Sequence, residues 1–394
     1  MSSPAWETKV IHAGHTNYSN ALTTPIFMTS TFSFDSAEQC RDRFMGTDPG
    51  YIYSRLGNPT VTALEQKLAI MEGAEDAVAV GSGIGALTTL VYAAVKGGDH
   101  IVISKSLYGC SWAFFTRGIA AFNVEVTPVC MDNLDELRQA IRPNTKLVFF
   151  ETPANPTNCI IDIAEVTKIV RESDAKEAIV AVDNTFCSPV ICNPIAHGAD
   201  AVMHSGTKYL SGHGDVIAGA VCGSRAFIER CKLHALKDMN GAVMCPMTAF
   251  LLIRGIKTIH LRLPRHAENA LALATFLEKH PKVKSVEYPF LPSHPRHEIA
   301  KKQMSMGNGI VPFILDGGRE AGMLFLNSLK LATIAVSLGD AETLATHPAS
   351  STHSPYTENE LEFAGIDPGL VRMSVGLEAA ADIIADVEQA LEHI

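Results

Sequence analysis

Short apolar runs that end abruptly in polar residues recur through much of this chain: Ala77-Val-Ala-Val, Ile101-Val-Ile-Ser, Lys146-Leu-Val-Phe-Phe, Ala178-Ile-Val-Ala-Val, Ala201-Val-Met and Val216-Ile-Ala-Gly-Ala-Val-Cys. A run this short, without polar alternation, suits a strand buried on both faces, the condition of a parallel sheet. Helical periodicity fills the intervals, as in Val61, Leu64, Leu68 and Met71 before Gly73, and in the segment from about Asp162 to Ser173. This alternation predicts an α/β fold, a mostly parallel seven-stranded sheet with flanking helices. Ligands of such sheets gather outside the carboxyl ends of the strands. The residues immediately after each run therefore carry the chemistry.

The run Ala201-Val-Met leads into Ser205, Thr207 and Lys208, then a glycine-rich turn. A lysine on rigid backbone beside two hydroxyls suits a Schiff base to a carbonyl, with a phosphate held nearby. The preceding run closes on Asp183, a carboxylate able to keep a ring nitrogen protonated. The interval, 208 − 183 = 25 residues, has room for a turn, a short helix and one further strand, so neighbouring strands can present both groups to one ring. Pyridoxal 5'-phosphate needs this pair. Gly81-Ser-Gly83-Ile84-Gly85 sits between a strand and a helix, where backbone N–H groups receive phosphate. The same glycines suit a dinucleotide loop, but that site wants an acidic residue at the end of the next strand, and Asp99 precedes that strand.

Other candidates are less specific. Tyr108, after Ile101-Val-Ile-Ser, can stack on a ring or merely pack. Asn155 follows the Lys146 run in an Asn-Pro turn that aims its amide inward, where it can bond the cofactor's phenolic oxygen or a substrate carboxylate, though a plain turn would look the same. Arg372, among Leu370, Val371 and Met373, demands an anion, either an internal carboxylate or a substrate. Tyr53 and Arg55 share one face of a segment expected to be extended, a pair suited to phosphate or to an ordinary surface contact. Lys237 and Asp238 fall where the pattern breaks, and read as a solvated loop pair.

Taken together, Tyr53-Ser-Arg55-Leu-Gly-Asn-Pro59, Ser205-Gly-Thr-Lys208 and Val371-Arg-Met-Ser-Val-Gly376 resemble, in the same order, the motifs of the Cys/Met-metabolism pyridoxal-phosphate enzymes, the γ-family of fold type I. Gly206, Gly214 and Ile84 stand where alanine, serine and methionine are frequent, and none of these changes removes a catalytic group. The resemblance implies an aminotransferase-like fold. It implies that Lys208 carries the cofactor, Tyr108 stacks on its ring, and Tyr53 and Arg55 bind the phosphate of the neighbouring subunit. Arg372 with Ser337 beside it then takes the substrate carboxylate. Cys110 and Lys237-Asp238 resemble the family's methionine γ-lyases, and the resemblance implies that Cys110 takes part in catalysis and that Lys237 and Asp238 bind substrate. It also implies γ-elimination of a sulfur-containing amino acid, L-methionine giving methanethiol, 2-oxobutanoate and ammonia, with activity on homocysteine and cysteine. Cystathionine or homocysteine γ-lyases and O-acetylhomoserine sulfhydrylases or γ-synthases are the alternatives within the family. A non-enzymatic cofactor-binding regulator would not need Tyr108 and Lys208.

At 394 residues and 47% hydrophobic, the chain can bury more than one core. Three parts are expected: an extended N-terminal arm over 1–60 that leans on a partner subunit, a cofactor-binding domain over 61–246, and a smaller C-terminal α+β domain over 247–394, entered through a long helix from Met247 to about His260. The family implies a homotetramer built from dimers with shared active sites. A net charge of −10 without basic runs disfavours nucleic acid and anionic membrane. The polar start and the lack of a long apolar stretch predict a soluble cytoplasmic protein. Nine cysteines without CxxC pairs, and histidines without ligand spacing, predict reduced thiols and no metal.

Overall fold

The computed structural model describes residues 4–15, 18, 20–352, 354, 361 and 365–394. Its larger sheet holds seven strands: β1 (Asp76–Val80), β2 (His100–Ser104), β3 (Glu125–Val129), β4 (Thr145–Glu151), β5 (Ile179–Asp183), β6 (Ala201–Ser205) and β7 (Gly219–Gly223), in the order β1-β7-β6-β5-β4-β2-β3. Strands β3, β2, β4, β5 and β6 are parallel, and β7 runs antiparallel to both β6 and β1. The mostly parallel seven-stranded sheet expected from the sequence is thus present.

Apolar side chains from both faces of this sheet enter core clusters, which is why the strands carry unbroken apolar runs. Local signals delimit the flanking helices. Asn58 caps the helix Pro59–Glu72, which stops at Gly73 with φ 68°. Ser82 caps Gly83–Ala94, and Asp162 caps Ile163–Glu172.

The seventh strand is β3, an edge strand that no apolar run announced. It contains Pro128 and is half-exposed, as an edge position allows. The run from Val216 pairs only from Gly219 onward, and Ile217 lies outside the strand, 69% exposed. The helix expected from Met247 to His260 is two helices, Pro246–Ile256 and Ile259–Leu277. Buried Arg262 spans the break, donating to Gly255 O at 3.0 Å and to Tyr209 O at 3.1 Å.

A second sheet has the order β10-β11-β12-β9-β8, from β8 (Val283–Val286), β9 (Ile310–Leu315), β10 (Thr333–Ile334), β11 (Leu344–Thr346) and β12 (Leu370–Ser374). The strand expected over 331–337 is reduced to the two residues of β10, so Ser337 stands in a loop. Tyr209, next to Lys208 and fully buried, accepts the Gly309 N–H at 3.1 Å and ties the lysine's turn to the second sheet.

The first sixty residues are not wholly irregular, since Trp6–His12 and Ala37–Phe44 are helical. Buried Lys67 donates to Val10 O and Ile11 O at the end of the first of these. Among the described residues no helix is long and apolar enough to cross a membrane.

Candidate active site

The carboxyl ends of β2, β4, β5 and β6 open on one side of the sheet. There Lys208 Nζ donates to Ser337 Oγ at 2.9 Å. Burial, and next the Arg372 guanidinium, pull the Lys208 amine down to about 8, while Asp340 opposes them. Ser337 adopts φ 138°, a strained value for a residue with a side chain, and its carbonyl accepts from Arg372 Nη2 at 2.8 Å. Arg372 Nη1 donates to Asn155 Oδ1 at 2.8 Å, so both its contacts are neutral, and its buried Nε has no partner. Desolvation lowers this guanidinium to about 10. A buried cation held only by neutral acceptors, with an N–H to spare, is prepared for an external anion.

Asp183 ends β5, 8% exposed. Its Oδ1 accepts from the Thr185 N–H at 2.9 Å and from the Thr185 hydroxyl at 2.5 Å. Thr185 Oγ1 in turn accepts the Ser205 N–H at 2.8 Å, so one threonine links the ends of β5 and β6. Burial raises the Asp183 carboxyl, and no cation among the described residues bonds it. Gly83 opens its helix against Ser205: a Cβ there would lie 3.0 Å from the serine Cβ. Ile84 follows in the same first turn, 36% exposed. The Thr207 hydroxyl exchanges hydrogen bonds with the Ala218 backbone at 3.1 and 3.3 Å.

Tyr108 lies between β2 and the short helix Gly109–Ala113. Cys110, on that helix, places its Sγ 3.4 Å from the Tyr108 hydroxyl. Burial, and then Cys110, push the phenol up.

Tyr53, Arg55, Lys237 and Asp238 form a separate group. Residues 54–56 are a turn rather than an extended segment, and the Arg55 guanidinium lies over the Tyr53 ring at 5.7 Å. Arg55 Nη1 donates to Lys237 O at 2.7 Å, and Lys237 Nζ pairs with Asp238 at 2.7 Å. These last two residues are not in a loop, because Cys231–Asn240 is a wide-turned π-helix. No hydrogen bond or ion pair among the described residues joins this group to Lys208, Asp183 or Arg372.

Pyridoxal phosphate fits the first group on its donor chemistry. Asp183 lacks the cation that a protonated ring nitrogen would supply. Lys208 is a partly neutral amine at a strand end, and the Gly83 helix start offers N–H groups beside Ser205. Sequence reasoning missed Glu151 and Thr185. Glu151 ends β4 as Asp183 ends β5, and that shared position was the available signal.

Comparison with known proteins points to the same cofactor. Residues 7–392 match the family described as Cys/Met metabolism PLP-dependent enzyme. The L-methionine gamma-lyase of Porphyromonas gingivalis is 51% identical over 388 residues, covering 98% of this chain and 97% of the relative. The cystathionine gamma-lyase of Dictyostelium discoideum is 40% identical, with 98% and 97% covered. The metY protein of Campylobacter jejuni, solved with N'-pyridoxyl-lysine-5'-monophosphate, superposes with a TM-score of 0.95 at 31% identity, covering 99% of this chain and all of that one. The chain belongs to the Cys/Met metabolism family of PLP-dependent enzymes.

Proposed function

We propose that this chain is a carbon–sulfur lyase that eliminates the γ-substituent of L-methionine, releasing methanethiol, 2-oxobutanoate and ammonia, and that also accepts homocysteine and cysteine. The observation that carries the reading is the contact of Cys110 with the Tyr108 hydroxyl, which puts a thiol beside the phenol that would face the leaving sulfur. The higher identity to an L-methionine gamma-lyase than to a cystathionine gamma-lyase supports it.

Lys208 would hold the cofactor covalently, Asp183 its ring nitrogen and Tyr108 its ring face. The N–H groups of Gly83 and Ile84, with Ser205 and Thr207, would hold its phosphate. When bound, pyridoxal phosphate supplies an electron sink for the charge left as Cα loses a proton. Arg372, oriented by Asn155 and Ser337, binds the α-carboxylate. Lys208 Nζ, lowered to about 8, takes the Cα proton as a general base near neutral pH. Loss of a Cβ proton then supplies the electron pair that forms Cβ=Cγ as the Cγ–S bond breaks. Tyr108, which keeps its phenolic proton, hands it to the departing sulfur, and water releases 2-oxobutanoate and ammonia.

The group of Tyr53, Arg55, Lys237 and Asp238 has no bond to the Lys208 group of its own chain, which supports its serving the site of a neighbouring subunit. The assembly proposed is a homotetramer of two such dimers.

Steady-state kinetics on methionine, cysteine, homocysteine and cystathionine, with O-acetylhomoserine plus sulfide as a further arm, test the reading. Methionine turnover to methanethiol at the highest specificity constant for γ-elimination supports it. A preference for cystathionine, or for sulfide replacement over elimination, overturns it.

A further inference from the structure

Glu151 has no role in the proposed reaction, yet it bonds two separate segments of the site at once. It is the last residue of β4, the register partner of Asp183, and 4% exposed. Its Oε1 accepts the Tyr108 backbone N–H at 2.8 Å, and its Oε2 accepts the Asn155 backbone N–H at 3.2 Å. Each oxygen thus holds a different segment, one following β2 and the other following β4 itself. Beyond Tyr108 lies Cys110, and beyond Asn155 lies Arg372.

We infer that Glu151 is a positioning residue whose two oxygens fix, relative to Asp183, the phenol at the leaving-group end and the guanidinium at the carboxylate end of the substrate. This rests on the proposed substrate assignment. The chemistry of the site calls for a carboxylate. Both neighbours are N–H donors, and a carboxylate offers two acceptor oxygens and, when ionised, no donor. Burial and then the Asp183 charge push the Glu151 carboxyl up, and these two N–H groups are what oppose them. A glutamine there accepts one N–H and turns its own NH2 toward the other, leaving a buried donor without a partner. An aspartate is one methylene too short to reach both segments from β4. A carboxylate that merely closed the strand end would hold the backbone without any consequence for substrate.

The test uses full-length Glu151→Gln, and Glu151→Ala with and without formate, which can re-enter the vacated space as a carboxylate. Amide hydrogen exchange of peptides spanning 105–112 and 152–158 is measured with and without pyridoxal phosphate. Binding of L-norleucine, which has no leaving group, is followed by visible absorbance, and kcat and KM are determined on methionine and cysteine. Expected for Glu151→Gln are normal cofactor loading, faster exchange in at least one of the two peptides, and a loss of about tenfold or more in norleucine affinity and kcat, the scale of a buried charged hydrogen bond. Formate should restore part of both in Glu151→Ala.

Wild-type exchange rates in both peptides overturn the inference. So does faster exchange with norleucine affinity and kcat within about twofold of wild type. Loss of cofactor loading in both variants without formate rescue overturns it too, because the residue would then serve folding alone. If wild-type enzyme leaves methionine untouched while Glu151→Gln still weakens norleucine and slows cysteine turnover, the substrate assignment fails and the positioning role stands.

Discussion

Replacing Arg372 by lysine tests the carboxylate site most sharply, because the charge is kept and only the fork geometry is lost. The guanidinium spends one Nη1–H on Asn155 and one Nη2–H on Ser337 O, leaving the Nε–H and one N–H on each terminal nitrogen for an anion. A substrate carboxylate can take two of these in parallel, each a charge-assisted bond in a dry site. An ammonium on a shorter stem reaches the carboxylate with one donor at most, while Asn155 Oδ1 and Ser337 O lose theirs. Forfeiting one charged hydrogen bond costs roughly 1.5–3 kcal/mol, about a 10- to 150-fold weakening. The carboxylate does not change during the reaction, so the loss falls on binding in the ground and transition states alike. KM should rise by about that factor while kcat changes by less than about fivefold. Norleucine titration by visible absorbance should give the same factor, and steady-state assays with methionine should match it. Unchanged KM and norleucine affinity in a cofactor-loaded Arg372→Lys enzyme would show that the buried guanidinium serves its neutral partners and not the substrate.

Replacing Cys110 by serine or glycine should reduce methionine γ-elimination tens-fold more than cysteine β-elimination, a pocket contact being worth about 1–3 kcal/mol. Equal losses on both substrates would make the residue packing only. Arg55→Ala and Lys208→Ala chains, each tested first with saturating cofactor and found inactive, should recover activity when refolded together, with about a quarter of sites intact under random two-fold pairing. Verified mixed dimers that stay inactive would place Arg55 at its own chain's site. Lys67 is lowered to about 8 by burial and then by Lys257. Between that value and the unfolded 10.5 the unfolded chain binds more protons, so stability rises with pH across the window. The melting temperature of wild type relative to Lys67→Met should therefore increase from about pH 8 to about pH 10, and a flat or falling difference would contradict the buried placement.

What could be read in advance came from strand ends. Asp183 and Lys208 were legible because each closely follows an unbroken apolar run, and a parallel sheet leaves such positions one place to go. Glu151 ends such a run too, but its importance lies in two backbone N–H groups that only the folded register brings to it. The apolar neighbours of Arg372 pointed to an anionic partner, whereas the neutrality of the acceptors it finds in the fold is a tertiary fact. The edge strand β3 was hidden by Pro128 and partial exposure, which mimic a loop in sequence. The π-helical turns over 231–240 have no one-dimensional signature, because polar Lys232, His234, Lys237 and Asp238 read equally well as a surface connection.

The separation of the two residue groups bears on how such enzymes diverge. Of the groups assigned to the amino-acid core that every substrate of the family would share, Lys208, Asp183 and Asn155 end or follow strands of the larger sheet, and Arg372 sits mid-strand in β12, bonded to Asn155 across the two sheets. Cys110, placed beside the leaving group, and Lys237 and Asp238, which share with it the resemblance to methionine γ-lyases, ride on a five-residue helix and a π-helix. On that assignment a lineage can trade one leaving group for another by drifting at these helices, with the inherited reaction centre untouched. A single scaffold then accommodates the lyase, synthase and sulfhydrylase trades as variations written on its margins.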